Sequence, residues 1–153
     1  INALTYEQLL DIYEILGALE SQALMIVFDR ITPKRIKTME HLNQKMKKAI
    51  EDGKNRRFHE SNIQMHKVFL DLSSNDELTG YVAMLKLRVF GFAMMSYRDR
   101  FKKEIVKEHK EFISLIRNGE KEMAVIFLKE IHWKFNHPEN FIRTDAMEAC
   151  SSL

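Results

Sequence analysis

Only two prolines and five glycines interrupt these 153 residues. So few breakers leave little provision for the tight turns of a sheet built from short strands, and they favour long helices. The apolar periodicity agrees. Ile36, Met39, Leu42, Met46 and Ile50 share one helical stripe, and Thr32-Pro33 ahead of them reads as an N-cap with proline at the first helical position. Gly53 closes that segment. Six helices follow from the same reading: Thr5 to about Asp29, Pro33 to Gly53, Asn55 to about Leu72, Asp76 to about Tyr97, Phe101 to Arg117, and Lys121 to about Asn136. No strand is expected. The connections are short, so neighbouring helices should run antiparallel. The expected fold is all-α, an antiparallel bundle of six to seven helices over about residues 5–136. A weakly patterned tail follows over 137–153, with at most a short helix near Asp145 to Cys150.

Composition narrows the class. Apolar residues make up 45% and charged residues 30%, which suits one globular domain large enough to fold without a disulfide. A net charge of +2 gives no field for nucleic acid, and Lys45-Met46-Lys47-Lys48 reads as the solvated face of a helix. The single cysteine, Cys150, fits a reducing cytoplasm. No signal peptide is visible and no run of about 18 apolar residues suggests a membrane partner.

Enzyme signatures are missing: there is no G-x-S-x-G, P-loop, G-x-G-x-x-G or C-x-x-C. His59-Glu60 opens a zinc-protease pattern, but Ile63 stands where its second histidine should be. No Glu lies three residues before a His, as a di-iron bundle would need.

The histidines carry more. His66 lies on a stripe with Asn62 and Phe69, His109 with Ile105, Phe112, Ile113 and Ile116, and His132 with Leu128 and Phe135. Three helices of one bundle thus point an imidazole at a common interior, and the Asn62 side-chain oxygen faces the same way as His66. Three imidazoles and one oxygen suit a divalent transition metal, zinc or nickel, with positions left for water or a ligand. The alternative is three core histidines, each hydrogen-bonded singly. His41, His59 and His137 are expected at the periphery. In the fourth helix Lys86 and Arg88 are about 200° apart, so both cannot share one solvated face. Arg88 falls on the Leu85–Phe92 stripe and is assigned inward, as an effector-binding residue. It would need an anion there, either a carboxylate ligand or an internal Asp or Glu.

These residues resemble the FCD domain, the effector-binding C-terminal domain of GntR-family bacterial transcription regulators of the FadR type. Asp11-Ile12-Tyr13-Glu14 with Ala18-Leu19-Glu20 is similar to the first-helix signature, and Thr32-Pro33 to the start of the second helix. Phe58, Asn62, His66, Phe69, Asn75 and Leu78 follow the central pattern of D-x-x-x-H then N-x-x-L. Glu108-His109, Ile113, Leu115-Ile116, Gly119 and His132 follow the closing one. The resemblance implies a central cavity where an Asp and three His hold a divalent metal that helps bind a small organic acid. Here the corresponding metal ligands are Asn62, His66, His109 and His132. It also implies a homodimer, and DNA contact only through a winged-helix domain of the parent protein, absent from this chain. Two positions depart from the family: Asn62 replaces its usual Asp, and Leu16 stands where the first helix often carries Arg.

The function expected is therefore effector sensing and dimerisation, without catalysis. A metal-dependent helical enzyme is the first rival, and it would need a general base. Glu108 adjoins His109 but points about 100° away on a helix. A metal-free helical interaction module is the second rival.

Overall fold

The computed structural model describes residues 4–134. The expected tail, His137 and Cys150 lie outside them. The described residues form six α-helices: α1 Tyr6–Val27, α2 Pro33–Glu51, α3 Asn55–Leu70, α4 Asp76–Ser96, α5 Asp99–Arg117 and α6 Lys121–Phe127. A single 3-10 turn, Phe28–Arg30, follows α1, and a π-helical turn, Leu128–His132, extends α6. The bundle is all-α, with no strand among the described residues.

Local chemistry sets the helix ends. Thr5 and Gln8 form a reciprocal capping box at the start of α1. Thr32 accepts from the Arg35 amide with Pro33 in the first turn of α2, and Asn75 accepts from the Leu78 amide at the start of α4. Gly53 and Gly119 take positive φ just beyond α2 and α5, where a side chain would be strained.

α2 packs along both α3 and α5, while α1 packs on α3, α4, α6 and the π-turn. The three residues joining α2 to α3 fold the pair back antiparallel. Phe58, Phe69, Phe112, Met39, Met46 and Met65 fill the middle with almost no exposed surface. Gly17 lets α1 approach the C-terminal segment, since a Cβ there would stand 3.2 Å from Trp133 Cβ and 3.4 Å from the Lys129 carbonyl oxygen. That approach brings Glu20, one turn further along α1, to the centre of the bundle.

Two expectations need correction here. The sixth helix is not continuous to Asn136: α6 ends at Phe127 and widens into the π-turn that carries His132. α4 is by length and composition apolar enough to cross a membrane, with a mean hydropathy of 1.3 over its best window. Its inner face nevertheless builds the core through Leu78, Val82, Leu85, Val89, Phe92 and Ala93.

Candidate metal centre

The stripes of α3, α5 and the π-turn deliver their imidazoles to one point. His66 Nε2 lies 3.2 Å from His109 Nε2 and 3.1 Å from His132 Nε2. One ligand atom from each of the three lies within 4.8 Å of the others. His66 and His109 are buried, and the His132 side chain is 6% exposed.

The opposite edges of two rings are fixed by carboxylates. His66 Nδ1 donates to Glu20 Oε2 at 2.7 Å, and His132 Nδ1 donates to Glu108 Oε2 at 2.8 Å. A proton on each Nδ1 leaves a lone pair on each Nε2, so two acceptors face one another across 3.1 Å with nothing to share. A cation between them removes that conflict, and a carboxylate behind a ligating imidazole raises its basicity and holds its orientation. The donor set therefore fits a divalent metal. Asn62 Oδ1 is buried without a hydrogen-bond partner and lines the same cavity. It is an oxygen of the type a fourth ligand requires.

The electrostatics keep the nitrogens available. Burial pushes His66 down to about 4, although Glu20 beside it pulls the other way. Burial also holds His109 well below the ordinary histidine value, with His132 and His66 adding to the effect. Neutral imidazole is the form that binds metal. Glu20 is fully buried. Burial alone would raise its carboxyl, but His66 and Lys86 outweigh that and hold it below the usual carboxylate range. Lys86 Nζ forms an ion pair with Glu20 Oε1, and Trp133 Nε1 donates to Glu20 Oε2 at 2.8 Å. One carboxylate thus gathers a histidine from α3, a lysine from α4 and the tryptophan that follows the π-turn.

Arg88 is not the inward cation. It is exposed, and Lys86 is buried in its place. The buried face of α4 is centred on Val82, Lys86, Val89, Ala93 and Ser96. Arg88 sits one residue, about 100°, away from Val89 on that face. The anion that the inward cation requires is internal, and it is Glu20. His59 is corrected too: it is not peripheral but 3% exposed, packed against Phe90 and Tyr97. His41 is exposed, as expected.

Glu20 and Glu108 escaped the sequence reading as site residues. Glu108 does leave its helix about 100° from His109, but the π-turn brings His132 round to meet it. The cavity beside the cluster is lined by the polar Asn62, His66, Lys86 and His132 and by the apolar Ile63, Val89, Phe90, Phe101 and Ile105. About 40 Å³ is open there to water-sized groups, room for about three of them. A larger groove of about 640 Å³ between α2 and α5 is edged by solvated lysines and holds none of these histidines.

A family model described as the FCD domain matches residues 11–131. The chain belongs to the FCD family. No curated protein and no solved structure matches it. An FCD domain is the effector-binding domain of a GntR-family transcription regulator, a class of protein that acts by binding and not by catalysis. The match spans α1 to the π-turn, so it takes in Glu20, Asn62, His66, Lys86, Glu108 and His109. It ends one residue short of His132.

Proposed function

We propose that this FCD domain senses a small organic acid through a divalent metal, zinc or nickel, held by His66, His109 and His132 with Asn62 as oxygen donor. The observation that carries this reading is the convergence of three Nε2 atoms, two of them backed by carboxylates on Nδ1. The bound metal supplies a Lewis-acidic positive charge for the acid's carboxylate. Lys86 adds a second positive group on the cavity wall. Glu20 and Glu108 orient the ligands, and the apolar lining residues exclude water from the acid's carbon chain.

Sensing requires that the acid favour one arrangement of the helices over another. The domain works in a cytoplasmic regulator, pairing with a second copy and passing its state to the DNA-reading domain of the parent protein. The outer face of α4 supports such pairing. Tyr81, Met84, Leu87 and Met95 are each at least half exposed there, and clustered exposed apolar side chains mark interaction surfaces.

The test is metal content by mass spectrometry after purification in metal-replete medium, beside His66→Ala and His109→Ala. One equivalent in the parent, lost in both variants, is the expected result. No metal in a folded parent protein removes the reading.

A further inference from the structure

The groove between α2 and α5 takes no part in the centre described above. It measures about 640 Å³ and has the form of a trough, with walls that run from Glu40 to Glu51 on α2 and from Lys103 to Arg117 on α5. At 1.5 Å per residue the longer wall extends about 21 Å. Both walls repeat every seven residues. Asn43 and Ile50 on α2, and Val106 and Ile113 on α5, are lining residues that are buried or half-buried, and they form the floor. Each pair is one heptad apart, about 10.5 Å along its helix. Two neighbouring helices with that period make a seat for a third, whose own seam repeats at the same interval. Asn43 adds a polar point to the floor. Its Nδ2 donates to the Val106 carbonyl oxygen at 2.9 Å, and its Oδ1 is buried without a partner. A single polar residue in an aliphatic seam fixes register at a cost in stability, and its unsatisfied oxygen calls for a donor from whatever fills the groove.

The rim is basic. Lys103, Lys107 and Lys110 stand along α5 at positions i, i+4 and i+7, and Lys47 joins them from α2. All four are exposed, and none has a carboxylate within ion-pairing distance among the described residues. Arg117 is taken up by Glu40 at one end of the trough. That leaves Glu51 as the remaining acid of the rim, against four lysines.

From the heptad floor and the basic rim together we propose that this groove docks an acidic amphipathic helix of a partner protein. The aliphatic seam of that helix lies on Ile50, Val106 and Ile113, and its glutamates or aspartates lie along the α5 lysines. Two helices side by side share the same rise, so carboxylates at i, i+4 and i+7 on the partner match the three lysines one for one. Nucleic acid suits the groove less well. No aromatic ring lines it for a base to stack on, and the guanidinium that would grip a phosphate is held by Glu40. None of the clustered histidines lines the groove, so the inference stands apart from the metal reading and its failure leaves that reading untouched.

The experiment is fluorescence anisotropy of the full chain with a labelled peptide of about three heptads, leucine at a and d and glutamate at e and g. The controls are the same peptide with lysine at e and g, a peptide of the acidic composition in scrambled order, and an oligodeoxythymidylate of about 16 nucleotides. The acidic heptad peptide is expected to bind about tenfold or more tightly than either peptide control, and to weaken as salt is added. Lys107→Glu combined with Lys110→Glu should lower that affinity about tenfold or more while leaving the helical circular dichroism as in the parent. No binding of the acidic heptad peptide, or binding equal to that of the scrambled one, overturns helix docking. Tighter binding of the oligonucleotide than of the acidic peptide assigns the groove to nucleic acid and overturns it as well. A folded double variant that binds as the parent does places the peptide elsewhere, such as on the apolar face of α4, with the same consequence. The comparison of peptides on the parent chain decides the matter even where the double variant fails to fold.

Discussion

Glu20 Oε2 lies 2.7 Å from His66 Nδ1, the two residues 46 positions apart in the chain and both almost without solvent exposure. The same carboxylate is the counter-ion of Lys86. Glu20 therefore has two functions that one substitution separates from the rest of the site. Glu20→Gln leaves Lys86 buried and unpaired, which should destabilise the domain by about 3–5 kcal/mol. It also removes the carboxylate behind His66, a ligand of the proposed metal, for which a loss of about 10–100-fold in metal affinity is expected. Urea denaturation and a metal competition assay read the two effects. A Gln variant as stable as the parent would show that the ion pair contributes nothing net.

Lys86 and Arg88 make a matched pair of controls. Arg88→Ala changes an exposed side chain and should move stability by no more than about 0.5 kcal/mol. Lys86→Met keeps the length of the chain and removes the charge, so Glu20 is left buried beside neutral neighbours. It should cost about 3 kcal/mol or more, and it should also weaken acid binding. If Arg88→Ala proved the more damaging of the two, the orientation of α4 described above would be wrong.

Why one cation was legible and the other was not follows from the helix geometry. The sequence showed that Lys86 and Arg88 could not both be solvated, and the contradiction was real. Its resolution depended on where the buried face of α4 is centred. Leu85, Val89 and Phe92 allow two centres about 60° apart, and only packing against α1 and Glu20 selects the one that buries Lys86. The three histidines were legible because each lies among unambiguous apolar neighbours on its own helix. Glu20 was hidden for the opposite reason: α1 is apolar on several sides, and any one of its four carboxylates looks like a solvent contact. Glu108 was dismissed on an ideal helical angle. The π-turn, which has no sequence signature here, moved its partner into reach.

Asn62 tests what the absent carboxylate costs. Asn62→Asp places a negative oxygen on the cavity wall beside the three imidazoles. An ion pair at 4 Å gains about 4 kcal/mol at an effective dielectric of 20, part of which is offset by desolvation of the new carboxylate. Metal affinity should rise about tenfold or more, a gain of about 1.4 kcal/mol at least. Isothermal titration with zinc against a competing chelator measures it. Unchanged affinity would place residue 62 outside the coordination sphere.

Pairing through α4 is open to a single substitution. Leu87 is 69% exposed, so Leu87→Glu should leave the fold intact, with a stability change within about 0.5 kcal/mol. Sedimentation at micromolar concentration should show a dimer for the parent and a monomer for the variant. An unchanged dimer moves the interface elsewhere on the molecule.

Acid should weaken the metal-free domain before it titrates the carboxylates. Burial holds His66 at about 4 in the folded chain against an ordinary 6.5, and His109 is displaced the same way. Between those values the unfolded chain binds a proton that the folded chain refuses. Stability is therefore complete above pH 6.5 and falls as the pH is lowered from there towards 4. The full displacement at His66 corresponds to about 3 kcal/mol, and His109 adds to it. Glu20 acts in a lower window, since its depressed carboxyl gives up its contribution only below the ordinary carboxylate range. Urea midpoints at pH 7.5, 6 and 5 should fall in that order without metal. His66→Phe, which has nothing to protonate at this position, should flatten the trend. Saturating zinc should hold the midpoint up at pH 6, where metal still competes for the imidazoles, and lose that effect near pH 5 as protons displace it. Midpoints that stay constant from pH 7.5 to 5 in the metal-free parent would mean that the histidine cluster opens to solvent in the folded domain.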